Sequence, residues 1–395
     1  MNNNVNTYRL KDICTIKSGK RIPLGMDFTT EITEHPYIRA RDIKGGYILT
    51  DNLVYLNDDV YAKIKKYIIN AGDIAITIVG ASIGDVSYAQ NDVDGYNLTE
   101  NAVRLTQFKN FVNSKYLFYV LSQNQYRDYM QLVAGGAAQP KLGIYKVERI
   151  KVQLPSIEVQ NNVVNILSSF DACIENNLKR IKLLEETAYS IYKEWFINFR
   201  FPGYTESSFV NKLPKGWVSG NGKSRIPANW HYGELQELGK FIRGKNITAE
   251  KMVEGSIPVI SAGISPSGMH NSSNVSGRSL TISASGANAG YLMYHMTDIW
   301  AADCSYYQDD SNIWFVYNSL KYLQPVISNM QAGAAQPHVY PKHVNKISLI
   351  IPESTWIKKF CDLVEPFYDE IKLLDDKSSE LVEIRSMIMP RILSN

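Results

Sequence analysis

The sequence predicts an α+β chain of two tandem mixed α/β domains, each followed by a long helix that pairs with its copy, giving an internal pseudo-two-fold symmetry. Three observations predict it. The pentapeptide GAAQP stands at residues 136–140 and again at 333–337. After each copy, apolar residues alternate over a few positions and stop at a proline, as a half-buried strand does. Beyond each proline runs an apolar heptad rhythm.

A Gly and Pro turn explains either pentapeptide alone but not the pair. If it marks a duplication, its neighbours should match too. Val147, Ile150, Val152, Leu154 and Pro155 fall on Val344, Ile347, Leu349, Ile351 and Pro352 at one offset. Upstream, Leu10, Ile13, Ile16, Gly19 and Lys20 match Leu235, Leu238, Phe241, Gly244 and Lys245, while Pro36, Ile38 and Ala40 match Pro258, Ile260 and Ala262. ITIVGASIG at 76–84 matches ISASGANAG at 282–290. A period this long excludes a solenoid and means a duplicated module. Between the matches the copies diverge, RARDIKGGYILTDNLVYLNDD against SAGISPSGMHNSSNVSGRS, as in a kept scaffold that displays two different surfaces.

In the first helix the apolar row is Val163, Leu167, Phe170, Ile174, Asn177, Ile181, Leu184, Ala188, Ile191 and Trp195. In the second it is Phe360, Val364, Phe367, Ile371, Leu374, Ser378, Leu381, Arg385, Ile388 and Ile392. One such stripe is usually core. Two matching ones need a narrow apolar partner each, and each has the other. Asn177 and Ser378 interrupt the row as register-fixing polar residues do, at a cost in stability. Pro366 removes an N–H and is expected to kink or restart the second helix.

The 395 residues suffice for two to three domains, and 45% hydrophobic with 21% charged residues is ordinary for a globular chain. A net charge of +3 excludes a uniformly basic surface and leaves room for a local basic groove. Cys14, Cys173, Cys304 and Cys361 form no metal-ligand spacing and read as reduced, buried thiols of a cytoplasmic protein. The polar start has no signal-peptide character, and no apolar run is long enough for a membrane span.

Catalysis needs convergent groups, and a nucleophile elbow, a P-loop, H-E-x-x-H and the Pro-Pro of a base methyltransferase motif are not expected here. The Gly pairs in GASIG and GANAG read as bends rather than anion sites. Asp42-Ile43-Lys44 reads as a solvated loop, and Asp375, Asp376 and Lys377 as a wet helix face. Nucleic-acid binding has direct candidates in Lys20, Arg21, Arg39, Arg41 and Lys44 of the first module and Lys245, Asn246 and Arg278 of the second. Cations fix register through phosphates, whereas Arg, Asn and Gln read base edges. Gln139 and Gln336, identical in both copies, read as scaffold.

The order of domain and helix, with KLGIYKVERIKVQLPSIEVQ, then LLEETAYSIYKEWFINFRFPG, then LPKGW and IPANW before the second module, resembles the specificity subunit of type I restriction-modification systems over essentially the whole chain. KEWFINFRFPG is the specific stretch, and the family's PLPxxEQ appears as QLPSIEVQ in the first copy but lacks its Gln in the second, IIPESTWIKKF. The resemblance implies target recognition domains at 1–155 and, after a linker, within 201–352. Spacer helices follow at 156–200 and 353–395, paired as an antiparallel coiled coil. It implies a non-catalytic chain whose domains each read half of a split site in double-stranded DNA. Its partners would be two modification subunits carrying S-adenosylmethionine, and restriction subunits using ATP and Mg. No metal, no cofactor of its own and no membrane contact are expected. A stand-alone repressor, which binds its site without partners, and a scaffold, which has no sequence preference, are the other readings.

Overall fold

The computed structural model describes residues 5–135, 140–211, 225–330 and 338–393. They fall into two compact units, Met1–Ile174 with Ser379–Asn395, and Glu175–Ser378. The first unit is built on a four-stranded antiparallel sheet in the order Thr15–Ser18, Ala102–Thr106, Ile74–Thr77, Val86–Tyr88. Its two inner strands are almost wholly buried. The one charge they carry, Arg104, meets the carboxylate of Asp73 at 3.0 Å, since a buried charge needs a partner. A three-stranded sheet runs Val54–Tyr55, Pro36–Ile38, Asn97–Leu98, its middle strand antiparallel to the first and parallel to the last. Asn6–Arg9 pairs antiparallel with Lys151–Leu154, whose Val152 and Leu154 point into the core as the alternation predicts.

The second unit repeats this plan. Its four-stranded sheet runs Ile242–Arg243, Cys304–Tyr307, Ser279–Ser283, Leu292–His295, and its three-stranded sheet Gly268–His270, Ile257–Ile260, Trp300–Ala301. The middle strand again has one antiparallel and one parallel neighbour, and His231–Glu234 pairs with Ser348–Ile351. The repeated glycines have physical causes. A side chain on Gly19 would put Cβ 2.1 Å from the Thr99 carbonyl oxygen, and one on Gly244 2.5 Å from that of Ala302. At both places the chain must touch a neighbouring backbone, which only glycine permits. Gly80 and Gly84, like Gly286 and Gly290, have positive φ and form the bend between two sheet strands that GASIG and GANAG predict.

The long helices are Ile157–Tyr192, continued by a widened π turn at Lys193–Ile197, and Ser354–Leu393. Every residue of both predicted apolar rows is buried or half-buried, and Asp375, Asp376 and Lys377 are exposed. In the first unit Val163 and Leu167 share a core with Ile388 and Ile392, and Asp171 pairs with Arg385. In the second, Asn177 donates to Ser378 Oγ at 3.2 Å, and Phe360 packs against Tyr192 and Trp195. Within each unit the two helical segments therefore run antiparallel.

Two expectations are corrected. The second helix does not restart at Pro366. Pro366 is exposed, so water can satisfy the carbonyl one turn earlier that has lost its N–H partner. Cys173 is exposed, on the polar side of the first long helix, whereas Cys14, Cys304 and Cys361 are buried, and burial pushes their thiols up to about 12, about 12 and about 11. Of the first GAAQP only Pro140 is described; Gln139 and the whole second copy with Gln336 lie outside the described residues, as does LPKGW. Just past the pentapeptides the match resumes, with equivalent isolated bridges Val79 to Lys141 and Ser285 to His338.

The motif stretches have packing roles. Gln160, the terminal Gln of QLPSIEVQ, is fully buried and donates to the carbonyls of Phe111 and Pro155 while accepting from the Asn113 N–H. Its counterpart in the second copy is Ile357, which enters the core as an apolar residue. In KEWFINFRFPG, Phe196, Phe199 and Phe201 are buried around Trp230 of IPANW, with ring centroids 5.7, 5.8 and 5.1 Å from it. Among the described residues no helix is long and apolar enough to cross a membrane.

His295 makes the second unit sensitive to acid. Its ring lies 2.8 Å from Thr281 Oγ1, and burial lowers its pKa from 6.5 to about 4. Between those values the unfolded chain binds the extra proton, so stability is present above about 6.5 and is lost as pH falls towards 4. His295→Gln is expected to flatten that slope, measured by urea unfolding inside and above this interval.

Candidate nucleic-acid interface

In the first unit the candidate cations sit on adjoining backbone. The Lys20 N–H donates to the Leu98 carbonyl at 2.8 Å, and the Thr99 N–H donates to that of Ile38 at 3.0 Å. The ends of three chain segments thus lie side by side, Leu98 and Thr99 in the middle and the outer segment that ends at Ile38 leading into Arg39. The Tyr37 hydroxyl donates to the Lys20 carbonyl at 2.9 Å, and Arg21 pairs with Glu100 at 3.0 Å while its side chain stays 79% exposed. Lys20 is exposed, its ammonium 5.8 Å from the centre of the Tyr67 ring. Past Arg39 the chain makes a tight turn at Ala40–Asp42, then the hairpin Ile43–Lys44 with Tyr47–Ile48 through Gly45 and Gly46, both at positive φ.

The two arginines of that turn have different work. Arg39 is largely buried and grips Asp42 through two hydrogen bonds of 2.9 and 3.0 Å, and it also donates to the Asn52 carbonyl. Arg41 projects outward, 71% exposed and only at 3.9 Å from Asp42. Lys44 is exposed too. Asp42 is buried and committed to Arg39, so Asp42-Ile43-Lys44 is a held turn rather than the solvated loop expected.

In the second unit Lys245 holds the equivalent place, its N–H donating to the Ala301 carbonyl at 2.9 Å and its own carbonyl accepting from the Trp300 indole at 2.8 Å. Lys245 and Asn246 are exposed. Arg278 is elsewhere: half-buried, it pairs with Asp310 at 3.4 Å and with Glu365 of the second long helix. Its charge is satisfied within the protein. Two residues absent from the sequence candidates belong to this neighbourhood. Asn274 clamps both backbone groups of Ala301, at 2.7 and 2.9 Å, and Arg243 pairs with Asp303. Only the pairing of strands reveals either.

Gly80 to Gly84 does spell the Gly-x-Ser-x-Gly of a nucleophile elbow, contrary to expectation, but it joins two antiparallel strands, Ile74–Thr77 and Val86–Tyr88, where an elbow joins a strand to a helix. Among the described residues no group of three or more His, Cys, Asp or Glu could hold a metal.

The chain resembles known proteins along nearly its whole length. The model of a family described as the type I restriction modification DNA specificity domain matches residues 2–186 and again 227–383, once per copy of the repeat. The specificity subunit of the type I restriction enzyme MjaIX from Methanocaldococcus jannaschii is 24% identical, over 97% of this chain and 92% of that protein. The HindI specificity subunit of Haemophilus influenzae is 22% identical, over 85% and 88%. The crystal structure of the S subunit of a type I restriction-modification system from M. genitalium has the same fold, with a TM-score of 0.58 at 18% identity over 99% of this chain and 96% of that one.

The contrast between the two arginines of the turn is measurable. Arg39→Met leaves the buried Asp42 carboxylate without its counter-ion and is expected to cost about 1–3 kcal/mol of stability. Arg41→Ala, at an exposed site, should stay within about 0.5 kcal/mol. Denaturant unfolding of the two variants checks both.

Proposed function

This chain belongs to the type I restriction-modification DNA specificity family, and we propose that each of its units reads one half of a split DNA site while the long helices hold the modification subunits. The observation that carries this reading is one sheet plan built twice, a terminal strand pair, a four-stranded and a three-stranded sheet in the same order, with unlike loops hung on it. A repeated frame offers the same surface twice to two copies of one partner. Unlike loops offer different contacts to DNA. In the first unit Lys20, Arg21, Arg41 and Lys44 meet the duplex, and Arg39 positions the turn through Asp42. In the second Lys245 and Asn246 do so, and Arg278 serves the core of its own unit.

The chain itself neither methylates nor cuts. S-adenosylmethionine belongs to the modification subunits, and ATP with Mg to the restriction subunits. A stand-alone repressor would need neither partner. The long helices favour the subunit reading, because they present apolar side chains outward at equivalent places: Ile166 and Leu363 are 48% and 44% exposed and occupy the same position of the repeat.

Two experiments test this. Replacing residues 21–60 by those of a relative with another target should change one half-site and leave the other intact, read by methylation mapping with the modification subunits present. A change in both halves refutes the division of labour. Ile166→Asp and Leu363→Asp should each release one of two modification subunits, and the double variant both, read as complex mass in solution. Full-mass complexes from the double variant would remove these residues from the interface.

A further inference from the structure

The two units fill the place where their recognition folds meet the long helices with different side chains. Helix Ser114–Leu121 is capped by Asn113 and helix Ile313–Tyr322 begins after Asn312. Aligning the two asparagines sets Lys115 on Trp314, Phe118 on Tyr317 and Tyr119 on Asn318. The long-helix repeat sets Asp171 on Tyr368, and the hairpin repeat sets Tyr88 on Tyr294. Contacts agree with the alignment: Tyr119 bonds Asp171 in one unit, and Asn318 donates to the Tyr368 hydroxyl at 3.0 Å in the other.

In the second unit this place is full. The Trp314 indole stacks on Tyr368 with ring centroids 3.6 Å apart and planes 3° from parallel, and Tyr294 stands edge-on to both at 5.8 and 5.5 Å. Trp314 and Tyr368 have no exposed surface. In the first unit both stacked rings are missing. Lys115 and Asp171 stand in their places, and a cavity of about 240 Å³ opens, lined among others by Tyr47, Tyr88, Phe118, Lys115, Arg127 and Asp171.

What remains around the space is aromatic and cationic. Tyr88 and Phe118 still form a tilted pair at 5.8 Å. Both carboxylates are engaged, Asp171 by Tyr119 and Arg385, and Asp85 by Arg127 at 3.0 Å. The Lys115 ammonium lies 5.8 Å from the Tyr88 ring centroid, and among the described residues it has no carboxylate within ion-pair distance. Such a site is short of one flat ring and one negative charge.

We propose that this cavity binds a purine nucleoside monophosphate. Its base, a fused five- and six-membered ring like indole, occupies the place of the absent Trp314 ring against Tyr88 and Phe118, where offset or edge-on contact is favourable. Its phosphate meets Lys115 and the half-exposed Arg127, by charge-assisted hydrogen bonds.

Calorimetric titration of the full chain with AMP, adenosine and inorganic phosphate tests the proposal. AMP is expected to bind with a Kd below about 1 mM, adenosine more weakly, and phosphate weakest. Lys115→Trp, which restores the side chain of the second unit, should abolish AMP binding. Lys115→Gln should weaken it about tenfold or more, the worth of one charged hydrogen bond, with unfolding midpoint unchanged. No heat with AMP, phosphate binding as tightly as AMP, or AMP binding that ignores both substitutions would each overturn the proposal. The Gln variant decides the matter if the Trp variant fails to fold.

Discussion

The structure of either unit depends on hiding one apolar stripe of each long helix. Phe360 shows the constraint most sharply: it has no exposed surface and is ringed by Tyr192, Trp195 and Phe196, at 6.0, 6.1 and 5.3 Å. Fully burying an aromatic or aliphatic side chain is worth about 1.5–3 kcal/mol, and a stripe of them cannot face water on an isolated helix. Each helix therefore needs both a facing helix and a recognition fold beneath it. The polar interruptions are handled within that constraint: Asn177 and Ser378 bond each other, so neither leaves a buried group unpaired.

On this base the sheets are free to serve display. The glycines that recur do so because backbone touches backbone at Gly19 and Gly244, and the cations that follow them are thereby fixed at the end of a strand rather than on a mobile arm. Lys20 and Lys245 hold the same backbone bonds in their two units. What differs begins immediately after, where the first unit turns through Arg39 and Asp42 and the second through a Ser, Gly and Asn-rich stretch. A rigid frame bearing variable loops is how recognition changes without refolding.

Much of this was legible in the sequence because duplication makes noise repeat differently from signal. Offsets alone located the terminal strands, the inward-facing Val152 and Leu154, and the apolar rows. Three kinds of fact were not legible. A proline was read as a kink or a restart, and the helix does not restart, because Pro366 lies on a wet face where its lost hydrogen bond costs little. Among the candidate cations, Arg39 and Arg278 looked like Arg41, and only their partners Asp42 and Glu365, the latter far away in sequence, show that their charge is spent inside the protein. Finally, sequence periodicity reports which positions are buried, not whether the buried space is filled, so the vacancy beside Phe118 left no pattern to find.

That vacancy bears on why the two copies are unlike where they are most alike in plan. At equivalent positions the first unit has Asp171 with Arg385, and the second has Tyr368 with Ala188. Asp171 and Arg385 are 12% and 23% exposed, and a pair so placed repays its desolvation only when both members are present. A helix bearing Arg385 is thus suited to one bearing Asp171, whereas two copies of either helix alone would set a buried charge against Ala188 or against Tyr368. The ion pair distinguishes the two helices of one chain, and it stands where the second unit has its aromatic filling. The same substitution of charge for ring that makes the helices non-interchangeable also opens the cavity.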